Sequence, residues 1–144
     1  GFIDLQQLAN VKEESVYTEN LSIYGTNLLN NKLGKIFFDN LETYAEQTSL
    51  TFTKHTQTSQ KNVMPPGSNW PFISQNRFDN LGFVAVTDHD GRFINPFYQS
   101  RYDEEINKSA LIEITTTVLK SILKTLFPKD EDVKNIKVTL RTVV

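Results

Sequence analysis

The chain has no cysteine among its 144 residues, and only two histidines, His55 and His89. The first absence excludes a disulfide, a thiol nucleophile and a cysteine-ligated zinc site. A serine nucleophile would need one of the two histidines as its base. It would also need a sharp turn that presents the serine, and the sequence has no G-x-S-x-G motif to form one. Nucleophilic catalysis therefore has no support in the sequence.

An excess of positive charge is also missing. Fifteen basic and 17 acidic residues give a net charge of −2. This balance gives no sign of a basic surface that would bind nucleic acid or an anionic membrane. No apolar run approaches the roughly 18 residues that a membrane-crossing helix requires, and no signal segment opens the sequence. The length suits a single domain with a substantial core.

Apolar periodicity predicts three strands that alternate with three helices, and hence an α/β domain. The predicted strands are residues 1–8, 50–55 and a third that begins at Leu81; the predicted helices are residues 33–47, a short one capped by Ser68 or Asn69, and residues 110–127. The polar stretch over residues 10–26 predicts a loop. Residues 133–144 fit both a helical and an extended period, and their β-branched content favours a strand.

Residues 81–103 contain the groups with most chemical interest. A buried strand beginning at Leu81 is followed by Asp88, His89 and Asp90. Adjacent residues of an extended chain project in opposite directions and do not readily converge on one ion, so a turn is the better interpretation of this triplet. The pattern Phe97-Tyr98-Gln99-Ser100-x-Tyr102-Asp103 follows, at the sheet edge where α/β proteins bind ligands.

This last pattern resembles the Tyr-His-Ser-x-Tyr-Glu segment of the transferrin-receptor-like zinc aminopeptidase superfamily, in which the histidine binds one of two zinc ions. Gln99 stands at that position, and a neutral carboxamide is a poor zinc ligand. The resemblance implies a degenerate zinc site, with no cofactor and no catalytic residue in this chain. Tyr98, Gln99 and Tyr102 would then line a polar pocket.

Within that superfamily the sequence resembles the nicastrin family, the catalytically inert branch. Three further stretches carry this resemblance in the same order: residues 1–8, Met64-Pro65-Pro66-x-Ser68 and residues 81–91. It implies an aminopeptidase-like layered domain with a mainly parallel sheet, of which this chain holds only the later half. Residues 1–127 would form that half and residues 128–144 its C-terminal extension, where the resemblance favours a helix over 133–144.

The function that this resemblance implies is non-enzymatic. Members of the family are γ-secretase subunits that assemble with presenilin and two smaller membrane proteins, and that gate or recognise type I membrane-protein stubs for intramembrane proteolysis. The chain would belong to the extracellular or lumenal ectodomain of a single-pass membrane protein. The sequons at Asn20 and Asn107 then become candidate N-glycan sites.

Two other functions remain open. An active zinc aminopeptidase, or a glutaminyl-cyclase-like enzyme, would need its other ligands outside this chain, and Gln99 argues against it. A transferrin-receptor-like ectodomain that binds a protein partner would have its membrane segment before this region instead of after it. Nucleic acid is not an expected partner of any of these proteins.

Overall fold

The computed structural model describes residues 2–6, 8, 20–26, 28, 31–57, 67–75, 81–87, 100–102, 106–139 and 141. Its strands are β1 (Phe2–Gln6), β2 (Asn20–Thr26), β3 (Thr51–Gln57) and β4 (Phe83–Thr87). Its helices are α1 (Lys32–Ala45), α2 (Trp70–Ile73), α3 (Lys108–Leu126) and the 3-10 helix η1 (Asp132–Asn135). None of the described helices is long and apolar enough to span a bilayer.

The four strands form one mixed sheet in the order β1-β4-β2-β3. β1 runs parallel to β4 and β2 runs parallel to β3, whereas the middle pair, β2 and β4, is antiparallel. The α/β class predicted from the sequence is therefore confirmed. The sheet is mixed, so the prediction of a mainly parallel sheet is not confirmed.

Strand β2 (Asn20–Thr26) corrects the last part of the loop predicted over residues 10–26, whereas residues 10–19 lie outside the described residues. All five residues from Ser22 to Thr26 are buried, because β2 lies in the middle of the sheet and is covered on both faces. Such a strand need not alternate between apolar and polar residues. Gly25 is required by close packing, since a Cβ there would lie 2.9 Å from Phe38 Cε2 and would also crowd Leu28.

Two amphipathic helices cover one face of the sheet. α1 begins at the N-cap Asn31, whose Oδ1 accepts a hydrogen bond from Gly34 N at 2.6 Å, and α3 begins at the N-cap Asn107 in the same manner. Both helices lie within two residues of their predicted bounds. The main core between them and the sheet consists of Ile23, Phe37, Phe38, Leu41, Leu50, Val84, Val86, Ala110, Ile114 and Val118.

The opposite face of the sheet has a smaller apolar cluster. Tyr24, Phe83 and Ala85 project from β2 and β4 to meet Ile73 of α2. The short helix was predicted with Ser68 or Asn69 as its cap; Asn69 is the N-cap but makes no side-chain capping bond. The sheet is thus covered on both faces, and all five residues of β4 are buried.

Residues 133–144 are neither a continuous helix nor a strand over most of the part that can be compared. η1 ends at Asn135, and residues 136–139 have no regular structure; helical geometry returns at Arg141, whose neighbours lie outside the described residues. Val133 and Val138 are buried anchors. Lys120 Nζ donates a hydrogen bond to Lys134 O at 3.0 Å, which ties the segment to α3. Two buried side chains and this hydrogen bond, instead of a continued helix, hold the segment against α3.

Candidate functional site

The predicted site follows β4 in the sequence. The strand ends at Thr87, which is fully buried, so the chain leaves the middle of the sheet at this point. Residues 88–99, which include His89, Tyr98 and Gln99, lie outside the described residues. The proposed pocket walls at Tyr98 and Gln99 therefore stay predictions. The same holds for the turn predicted at Asp88, His89 and Asp90.

Tyr102 is the one predicted pocket residue that the structure describes. It lies in a turn with Ser100 and Arg101, and its side chain is 58% exposed. Its backbone N donates to Ser100 Oγ at 3.2 Å. The Arg101 guanidinium donates to the Tyr102 hydroxyl and lies 4.8 Å from the ring centroid, a cation–π contact. The ring is therefore not a core position, and its place in a pocket wall stays a prediction.

The two sequons lie in different surroundings. Asn107 is the N-cap of α3, where its Oδ1 accepts a hydrogen bond from Ala110 N at 3.0 Å, and Ser109 is exposed. This bond uses the side-chain oxygen, whereas an N-glycan is attached through the amide nitrogen. Asn20 was predicted in a loop but is the first residue of β2, in register with Thr51 of β3.

A pair of hydroxyl groups is buried in the middle of the sheet. Ser22 of β2 and Thr87 of β4 are in register on the middle antiparallel pair, and both side chains are almost completely buried. Ser22 Oγ has no hydrogen-bond partner among the described residues. No sequence pattern indicated this arrangement, because the segment around Ser22 was predicted as a loop.

A second concave region lies at the β1 end of the sheet. It encloses about 200 Å³ between β1, the start of α1 and the end of α3. Its lining is mostly apolar and consists of Ile3, Asn31, Leu33, Gly34, Phe37, Gly82, Val84, Ile122, Thr125 and Leu126. None of these described lining residues is a histidine or carries a carboxylate. The described part of the chain likewise has no group of three or more such side chains arranged to hold a metal ion.

These features define a small α/β domain with a mixed sheet covered on both faces. The sequence matches the family model of the nicastrin large lobe over residues 1–142. The chain therefore belongs to the nicastrin family.

Individual relatives agree with this membership. The chain is 30% identical to a nicastrin of Dictyostelium purpureum over 73 residues, 51% of this chain and 10% of that protein. It is 29% identical to a nicastrin of Dictyostelium discoideum over 100 residues, 64% of this chain and 14% of that protein. The chain thus spans only a small part of the length of these relatives.

A solved structure has a similar fold. The crystal structure of the gamma-secretase component nicastrin superimposes with a TM-score of 0.62 at 23% sequence identity. The match covers 85% of this chain and 21% of the solved chain. At this level of identity the likeness concerns the fold, and it extends over most of these 144 residues.

Proposed function

We propose that this chain is part of the ectodomain of a γ-secretase component and that it has no catalytic activity of its own. The observation that carries the proposal is the match to the nicastrin large lobe over residues 1–142, nearly the whole chain. The similar solved structure is itself described as a γ-secretase component. In this proposal the domain supports assembly of the complex and gates or recognises the stubs of type I membrane proteins.

The partners follow from the same proposal. They are presenilin, which would supply the aspartates that cleave within the membrane, and the two smaller membrane subunits. The domain would lie on the extracellular or lumenal side, attached to a membrane helix outside these residues. N-glycans on Asn20 and Asn107 would accompany that location.

The chemistry of residue 99 supports the absence of enzymatic activity. Gln99 stands where the sequence pattern resembles a zinc-binding histidine, and its carboxamide oxygen is a neutral, weak donor to zinc. A two-zinc peptidase would lose one ligand of its metal centre through this replacement. In our proposal Tyr98, Gln99 and Tyr102 keep part of an ancestral pocket wall without a metal.

Metal analysis of the purified ectodomain tests this proposal. We expect neither stoichiometric zinc nor turnover of amino-acid amides or of amino-terminal glutamine. The Gln99→His variant is the matched comparison, because it restores the imidazole alone. Stoichiometric zinc together with turnover in the unaltered protein would instead favour an aminopeptidase or a glutaminyl-cyclase-like enzyme.

Reconstitution of the complex tests the role in γ-secretase. We expect the unaltered chain, within its full polypeptide, to co-purify with presenilin and to support cleavage of a type I stub. Gln99→Ala should leave cleavage per assembled complex largely unchanged, because the cleaving groups would belong to presenilin. A normally assembled Gln99→Ala complex with almost no cleavage would contradict the view that residue 99 is a relic.

A further inference from the structure

The two sequons of the chain differ in the accessibility of the hydroxyl group that each requires. N-glycosylation needs the serine or threonine two residues after the asparagine as well as the asparagine itself. For Asn20 this residue is Ser22, which is 1% exposed in the middle of the sheet. For Asn107 it is Ser109, which is exposed in the first turn of α3. Folding therefore hides one of the two hydroxyl groups and leaves the other at the surface.

Different amounts of structure must open before a transferase reaches these sequons. Ser22 belongs to β2, which pairs with β3 on one side and with β4 on the other, so exposing its hydroxyl separates the sheet. Such an opening requires nearly the whole free energy of unfolding. The sequon at Asn107 occupies the N-cap and the first turn of α3, and helix ends fray readily. Its local opening leaves the core of the domain in place.

The Ser22 hydroxyl makes no bond in the folded state that would explain a serine at this position. Its Oγ is buried and has no hydrogen-bond partner in the part of the chain that the structure describes. A buried hydroxyl without a partner destabilises a fold, because it has lost its hydrogen bonds to water. An alanine at position 22 would avoid this loss. Recognition of the unfolded chain as a sequon gives the hydroxyl a use that the folded sheet does not.

The order of the strands along the chain leaves time for modification before folding. Both strands that pair with β2 come later in the sequence, so the sequon at Asn20 is unpaired while β3 and β4 are still being made. Asn20 is the first residue of β2, and its register partner Thr51 is exposed. The start of this strand pair thus lies at the surface. A sugar added there to the unfolded chain is compatible with later pairing of β2.

We propose that folding closes the sequon at Asn20 and leaves the sequon at Asn107 open, so that Asn20 is modified only in the unfolded chain. At either site the asparagine Nδ2 forms a bond to C1 of a sugar, and the bond from C1 to the diphosphate of a lipid carrier breaks. One amide proton is released, and the lipid diphosphate is the leaving group. A glycan on Asn20 therefore records that modification preceded folding. Its occurrence in the cell rests on the lumenal location proposed above.

Transfer of a glycan to the folded protein tests this difference. The full polypeptide is produced in secretory cells while glycan transfer is inhibited, and only monodisperse protein that resists limited proteolysis is used. It is incubated with purified oligosaccharyltransferase and a lipid diphosphate-linked oligosaccharide. Synthetic peptides of residues 15–27 and 102–114 are the unfolded reference for the two sequons. Peptide mass spectrometry gives the rate of transfer to each asparagine.

We expect transfer to Asn20 in the folded protein to be at least about a thousandfold slower than transfer to its peptide, because the open state of a central strand is rarely populated. Transfer to Asn107 should stay within about tenfold of the rate for its peptide. Gly25→Ala, which crowds Phe38 and weakens β2, should speed transfer to Asn20 and leave transfer to Asn107 unchanged. Equal protection of the two sites relative to their peptides would overturn the proposal.

A stability comparison in normally glycosylated protein tests the role of Ser22 separately, and it decides the question if the glycan-free polypeptide does not fold. Asn20→Gln and the double variant Asn20→Gln with Ser22→Ala both lack the sugar at residue 20 and keep the other glycans. We expect the double variant to melt at the same or a higher temperature, because the Ser22 hydroxyl has no partner among the described residues. A lower melting temperature would show that the fold needs this hydroxyl and would overturn the proposal. Neither readout involves presenilin or cleavage of a stub, so the proposed function can fail without affecting these results.

Discussion

At the scale of single residues, the surroundings of Tyr44 shift the pKa of its phenol. Burial raises the pKa of the Tyr44 phenol above its ordinary value of 10.0, and the negative charge of Glu131 raises this pKa further. The folded protein therefore holds the phenolic proton more tightly than the unfolded chain does. The Tyr44 contribution to stability is complete below about pH 10 and is lost as the pH rises above that value.

Replacement of Tyr44 by phenylalanine should remove this contribution. We expect the free energy of unfolding of Tyr44→Phe to fall less steeply than that of the unaltered protein as the pH is raised above about 10, because no phenol at position 44 can release a proton. Denaturant unfolding at several alkaline pH values measures the difference. Equal slopes for the two proteins would show that Tyr44 ionises equally readily in the folded and the unfolded state.

The predicted site shows how far residue-level reasoning extends. Gln99 was singled out by a motif and by zinc chemistry, and neither depends on knowing the fold. The surroundings of Tyr102 were not predictable in this way, because an aromatic ring can bury its area in the core or against a neighbouring side chain. Arg101 supplies such a neighbour, and Tyr102 stays largely exposed.

At the scale of elements, a helix or strand was predictable from the sequence when only one of its faces is covered by the rest of the protein. α3 was predicted within two residues at its start and one at its end, because its apolar stripe packs on the sheet while its other face remains more accessible. β2 was missed because it is covered on both faces and includes Ser22 and Thr26. Covering both faces removes the alternation that identifies a strand.

Two isoleucines of the α3 region allow a matched test of its packing. Ile114 is 2% exposed within the main core, whereas Ile106, just before the helix, is 59% exposed. We expect Ile114→Ala to lower the free energy of unfolding by about 2–5 kcal/mol, since it removes transfer energy and leaves a cavity. Ile106→Ala should change it by less than about 0.5 kcal/mol. Similar effects of the two changes in chemical denaturation would contradict the described core.

The close approach of β2 to α1 gives a second prediction at this scale. Gly25→Ala should destabilise the protein by about 1–3 kcal/mol, because the added methyl group would meet Phe38 and Leu28. The double variant Gly25→Ala with Phe38→Leu provides the control, since the smaller side chain makes room for the methyl group. Melting temperatures of both single variants and the double variant should show a favourable coupling between the positions. Simple additivity of the two effects would place Gly25 away from Phe38.

At the scale of the whole molecule, the class of fold was predictable and the strand order was not. Alternating strand and helix patterns define an α/β domain. The order β1-β4-β2-β3 depends on pairings between distant segments, including the antiparallel pairing of β2 with β4, and no local pattern encodes it. The concave region at the β1 end is likewise a property of the assembled sheet and helices, since its lining residues come from four separate elements.

The proposed location of the domain outside the cytosol leads to a prediction about the whole molecule. When the full polypeptide passes through a secretory pathway, we expect an N-glycan on Asn107, because Lys108 and Ser109 are exposed and the capping bond to Ala110 N uses only the side-chain oxygen of Asn107. Glycosidase treatment in ¹⁸O-labelled water followed by peptide mapping detects the conversion of the glycosylated asparagine to aspartate.

Two variants separate the glycan from the helix cap. Ser109→Ala should abolish the glycan and keep the cap, whereas Asn107→Ala should abolish both. With both variants lacking the sugar, Asn107→Ala should be less stable than Ser109→Ala by about 0.5–2 kcal/mol, the usual contribution of an N-cap side chain. Equal stability would contradict the capping role of Asn107. An unmodified Asn107 in the secreted protein, with Ser109 intact, would remove the support that this sequon gives to a lumenal location.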